Sequence, residues 1–252
     1  MSEVARLSGA ELFARYAYPP NELGYCGVGD GAELLEIASG SGDTVIRKSA
    51  EGFDGAWPYL EIIAAANEDL DPLDAGVVEA YWIGSPLLDS VERSRFALEV
   101  RSRFASQSGA DWGCFEVAPA PVPHHSFHVF AIYPWLGLLR SGRSSPSLEI
   151  LERCRIGWGE VVAAEDEWID VRHRSVEFDG RWLGLGALRT ERYRWSQDGR
   201  SLGGAVEEGD FVATHWGWAC GQLSEEQVTW LSHYTERQLL VSNASTARSQ
   251  QS

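Results

Sequence analysis

Among the side chains of this chain that can do chemistry beyond simple charge are cysteines at 26, 114, 154 and 220, a histidine group at 124, 125 and 128, and His215. A thiolate is a soft metal ligand and a nucleophile, and an imidazole ligates metals or moves protons near neutral pH. His215 lies inside Phe211–Trp218, an aromatic and β-branched run that predicts one half-buried strand. Its expected partner is Cys154, at the start of a second strand-like stretch. The competing reading is that each is an ordinary core residue, because buried thiols and hydrogen-bonded imidazoles are common. His124 and His128 form a second candidate. On a helix they share a face and could chelate nickel, zinc or iron; on a strand they lie too far apart for one ion. The bland alternative is an aromatic, hydrogen-bonded junction.

Other motifs point away from catalysis. Ser126 after His125 excludes the HExxH metalloprotease pattern, and no serine sits in a G-x-S-x-G context. The glycine-rich 25–31 segment lacks a P-loop lysine and reads as a tight turn. Glu165-Asp166-Glu167 reads as a solvated hairpin turn. No enzyme activity is therefore predicted. The alternative is an independent metal or redox enzyme built on Cys26, Cys114 or the His124/His128 region.

The elements that must position these groups fall into two textures. Ser8 and Glu11 form a capping box for a first helix, which Pro19-Pro20 should end. Helical patterns follow at Asp30–Ser39, Trp57–Asn67 and Asp74–Ile83, then a helix introduced by Pro86 with Leu88, Val91, Arg95, Leu98 and Arg101 on one face. From Cys154 the chain reads as short strands punctuated by Gly159, Asp179-Gly180 and Gly184. A last helix is capped by Ser224 and Gln227, with Val228, Leu231, Tyr234, Gln238 and Val241 along its apolar face. The predicted fold is α+β. A mainly helical region, 1–145, precedes a small OB-like β-barrel with a C-terminal helix, 146–242, and a disordered tail, 243–252.

The second region resembles the HypC/HupF family of hydrogenase assembly chaperones. Cys154-Arg155-Ile156-Gly157-Trp158-Gly159-Glu160-Val161 is similar to that family's opening, and Gly209-Asp210-Phe211-Val212-Ala213-Thr214-His215-Trp216-Gly217-Trp218-Ala219 to its second element. Trp158 stands where the family has proline, and Cys154 is internal instead of terminal. The resemblance implies that Cys154 and His215 hold iron, as an iron–cyanide/CO unit bound transiently, for delivery to a hydrogenase large subunit or through a maturation factor. A thiolate suits such low-spin iron. The whole chain also resembles an uncharacterised bacterial family encoded near nickel–iron hydrogenase genes, through FARYAYPPNELGYCG at 13–27 and PHHSFHVFAIYPW at 123–135.

Composition bounds these readings. A formal charge of −16 argues against nucleic-acid partners, whose binding needs clustered Lys and Arg, and favours a basic or apolar protein surface. The 44% hydrophobic content supports a packed core. No apolar run has transmembrane length and no signal-peptide pattern opens the chain, so a cytoplasmic protein without membrane insertion is expected. The scattered cysteines should be free thiols. The function expected is an assembly factor for nickel–iron hydrogenase; a metal-free protein-interaction module is the alternative.

Overall fold

The computed structural model describes residues 7–27, 31–40, 46–107, 109–142 and 144–249. Six main helices form the first half: α1 (Gly9–Glu22), α2 (Gly31–Ala38), α3 (Ile46–Glu51), α4 (Trp57–Ala66), α5 (Ala75–Trp82) and α6 (Arg93–Phe104). The Ser8/Glu11 capping box closes as expected, Pro58 opens α4 and Asp74 caps α5. The expected helix after Pro86 is broken instead. Residues Pro86–Ser90 make a 3₁₀ turn, and Glu92 caps a new helix through the Ser94 and Arg95 amides. The resulting rotation buries Phe96 and Val100 and leaves Leu98 71% exposed, so the face expected from spacing is not the one that packs.

Pro19 and Pro20 do not end α1; the helix runs through them to Glu22. Proline removes a backbone donor, so the Tyr16 carbonyl, four residues before Pro20, has no helical partner. His215 supplies one, with Nδ1 2.8 Å from that oxygen.

The histidine-rich run is helical: α7 (His125–Phe127) continues into a π-turn over His128–Ile132, where the Tyr133 amide reaches the His128 carbonyl. Then come α8 (Trp135–Arg140) and α9 (Ser144–Cys154). Cys154 thus ends a helix instead of beginning a strand, and the expected boundary at 146 falls inside α9.

The barrel contains β1 (Gly157–Glu165), β2 (Trp168–Phe178), β3 (Leu183–Arg194), β6 (Phe211–His215) and β7 (Trp218–Gln222), with β4 (Ser196–Gln197) and β5 (Arg200–Ser201) forming a side hairpin. Its strand order is β1-β2-β3-β7-β6 and it closes through β6 on β1; the β3–β7 pairing is parallel. Val161, Ile169, Val171, Tyr193 and Val212 fill it. The single strand expected over Phe211–Trp218 is a hairpin. Trp216 and Gly217, at φ +49° and +84°, form the two-residue turn between β6 and β7, a geometry that matches strand twist.

Helix α10 (Glu225–Ser249) starts at the expected Ser224/Gln227 box. It buries Leu231, Tyr234, Gln238 and Val241. The tail expected to be disordered is helical to Ser249, while 250–252 lie outside the described residues. Hydrogen bonding holds it where apolar burial is scarce. Asn243 pairs with both the amide and carbonyl of Leu183, Ser245 with Asp111, and Arg248 with the Glu116 carbonyl. One continuous core joins the helical half to Ile156, Ala213, Trp218 and Tyr234.

Candidate metal centre

The end of α9 is the focus of the site. The last carbonyls of a helix lack intrahelical partners, and here they are met from elsewhere in the chain. The Trp216 amide donates to the Arg153 carbonyl, docking the β6–β7 turn on the helix end. The Cys154 carbonyl faces two imidazole nitrogens, His125 Nε2 at 2.8 Å and His215 Nε2 at 2.9 Å. The Cys154 sulfur completes the group: ligand atoms of His125, Cys154 and His215 all lie within 4.8 Å of one another, and all three residues are buried. They line a cavity of about 20 Å³ together with Cys26, Phe53, Gly55, Trp82 and Trp216 among others.

His215 lies between two carbonyls, Tyr16 at Nδ1 and Cys154 at Nε2, and since both can only accept, its one proton serves one of them. The single hydroxyl proton of Tyr81 goes to the Gly55 carbonyl. His125 Nδ1, 2.9 Å from the Tyr81 oxygen, must therefore donate to it. Burial pushes His215 down to about 4, and burial with the neighbouring His215 holds His125 well below the usual imidazole range. At neutral pH each ring holds one proton: that of His125 is at Nδ1, and that of His215 serves either the Tyr16 or the Cys154 carbonyl. Five close contacts, from Gly55 through Tyr81, His125, Cys154 and His215 to Tyr16, share three protons. The shortfall is two.

Imidazole nitrogens, a sulfur and the partial negative charge of a helix C-terminus would favour a cation at this point. In a four-coordinate sulfur–nitrogen site ligand atoms stand roughly 3.5 Å apart, so a spread of up to 4.8 Å leaves the three groups about 1.3 Å from closing on one ion. The cavity has room for one small sphere. The donor set is that of iron, cobalt or zinc, and it contains no carboxylate of the kind that calcium or magnesium prefers. Burial raises the Cys154 thiol pKa, and nearby Cys26 raises it further. The opposing influence is the Trp216 indole N–H, which has no other hydrogen-bond partner and favours the thiolate. A metal would remove the proton outright.

Cys154 and His215 thus come together. His124 and His128 take separate neighbours. His124 caps α7 through the Ser126 amide and stacks on Tyr234. His128 Nδ1 lies 2.9 Å from the Tyr59 hydroxyl, and His128 lines the same cavity as Cys154. Sequence spacing picked the flanking histidines and missed His125 between them. Cys114 is buried, as is Cys220, and all four cysteines are free.

Fold and site together define a barrel-and-helix protein of mixed α+β class with a buried Cys-His-His pocket. The chain belongs to DUF6390, a family of unknown function whose match spans residues 5–249. No curated protein and no solved structure matches it. Among the described residues no helix is long and apolar enough to cross a membrane.

Proposed function

We propose that this protein is a metal-handling assembly factor that takes one thiophilic first-row metal ion into the His125–Cys154–His215 pocket and delivers it to a client protein. The carrying observation is the convergence of those three ligand atoms, within 4.8 Å, on a small buried cavity, with both imidazoles turned toward the Cys154 carbonyl. The ion is cargo, and no catalytic turnover is assigned. The resemblance to HypC/HupF chaperones supports iron, carried as an iron–cyanide/CO unit, and a nickel–iron hydrogenase large subunit or maturation factor as client in the cytoplasm. The acidic surface suits a basic docking face. His125 is an addition to the cysteine and histidine that this resemblance supplied.

The test is anaerobic purification from hydrogenase-producing cells, with metal content and infrared spectra in the CO and cyanide stretching region, beside His125→Ala, Cys154→Ala and His215→Ala. Iron with those bands in the wild type, lost in Cys154→Ala and His215→Ala, supports the carrier. Apo-protein that also rejects iron, cobalt and zinc in vitro overturns it in favour of the metal-free interaction module.

A further inference from the structure

We propose that Cys26 is the thiol that first receives an incoming metal ion and passes it inward to Cys154; this rests on the reading of the inner pocket as a metal site. The inner cavity adjoins an outer cleft of about 680 Å³ bounded by Tyr25, Asp54, Arg103 and Gln107 among others. The two share four residues: Cys26, Gly55, His128 and Tyr133. These four stand between cleft and cavity, and a Cβ at Gly55 would take up the space there, standing 3.1 Å from His128 Nε2 and 3.5 Å from the Tyr133 hydroxyl.

Of these four residues, only Cys26 offers a soft donor. Its sulfur lies 3.6 Å from the Tyr133 hydroxyl, and its backbone is fixed on both sides. Asn21 donates to its carbonyl at 2.9 Å, its amide reaches the Pro20 carbonyl, and Gly27 lies so close over the Phe53 ring that any side chain there would collide. Cys26 is partly buried, whereas Cys154 is fully enclosed. The indole N–H of Trp216, which favours the Cys154 thiolate and has no nitrogen or oxygen acceptor among the described residues, lines the same cavity.

The transfer balances without a redox partner. As a hydrated divalent ion binds, Cys26 loses its thiol proton to cleft water and a metal–sulfur bond forms. On hand-over the bond to Cys154 sulfur forms while that to Cys26 breaks, and the Cys154 proton passes to the departing Cys26 thiolate. No electron moves, and one proton is released per ion.

Cobalt(II) under anaerobic stopped flow tests this, because thiolate-to-cobalt absorption reports sulfur ligation directly. In the wild type we expect two phases, the first from Cys26 and the second from Cys154. Cys26→Ser should keep one cobalt per chain with unchanged final affinity, lose the first phase and load at least tenfold more slowly. Cys154→Ala should keep only the first phase. An unchanged loading rate in Cys26→Ser, or a single phase in the wild type, overturns the relay and leaves the inner site intact. Loss of equilibrium binding in a folded Cys26→Ser makes Cys26 a permanent ligand and also overturns it. A wild type that binds no cobalt overturns both the relay and the metal-site reading.

Discussion

Tyr81 sets the tautomer of His125: its own proton is committed to the Gly55 carbonyl, so at 2.9 Å it can only accept from His125 Nδ1. A ligand imidazole held this way by its far nitrogen is oriented and made more basic. Tyr81→Phe removes the acceptor while leaving the stacked ring in place. We expect metal affinity, read by competition with a chromophoric chelator, to fall about 10- to 100-fold, with a stability loss of roughly 1–3 kcal/mol from the unpaired buried groups. An affinity unchanged in the folded variant would show that the tautomer does not matter.

Pro20→Ala separates site from fold. A restored amide at position 20 would compete for the Tyr16 carbonyl that now receives His215 Nδ1. The helix gains a backbone bond, so thermal stability should hold or rise. His215 loses its orienting partner, so metal affinity should drop by about tenfold or more. Nitrogen-15 NMR of the imidazoles would show the shift of tautomer directly.

Acid should unfold the apo-protein early. Burial pushes His124 and His215 to about 4 and His128 to about 3, with His125 also lowered. Below about pH 6.5 the unfolded chain binds these protons and the native chain does not. Their contribution is therefore complete above that pH and is lost as pH falls toward 4. Each group adds at most about 1.4 kcal/mol per pH unit to the slope inside its own window. Urea titrations from pH 7.5 to 4.5 check this, and a flat midpoint across that range would contradict it.

Two glycines with positive φ should respond differently to alanine. At Gly217 a Cβ meets nothing, so the cost is backbone strain alone, about 1–2 kcal/mol. At Gly84 the same change drives a methyl into the Tyr234 ring, which packs α10 against the end of α5. Gly84→Ala should lose several kcal/mol, beyond the roughly 1–3 kcal/mol typical of overpacking, because strain and collision add. Chemical denaturation of the two variants side by side measures the difference.

What the sequence disclosed and what it hid follow a physical line. Caps are local, so Ser8/Glu11 and Ser224/Gln227 located their helices correctly, and the periodic face of α10 packs as spaced. The barrel was legible because Gly159, Asp179-Gly180 and the aromatic strands carry short-range signals. The β6–β7 turn was hidden because tryptophan seldom takes a positive φ, and Trp216 does so only while stacked on Tyr25 and bonded to Arg153. His125 was hidden because its role depends on which helix face meets α9, a fact of packing. The Pro20 signal was present but was read as a stop, when its missing amide instead frees a carbonyl for a residue 199 positions away.

That separation constrains when the site can exist during synthesis. His125, Cys154, His215 and the Tyr16 carbonyl come from both halves of the chain, and α10, which braces the segments around Asp111, Glu116 and Leu183, is made after all of them. A ribosome still translating residue 200 holds a chain with thiols and imidazoles but no pocket. On the proposed reading metal loading needs α10 in place, and chains released before it is made should not capture the ion.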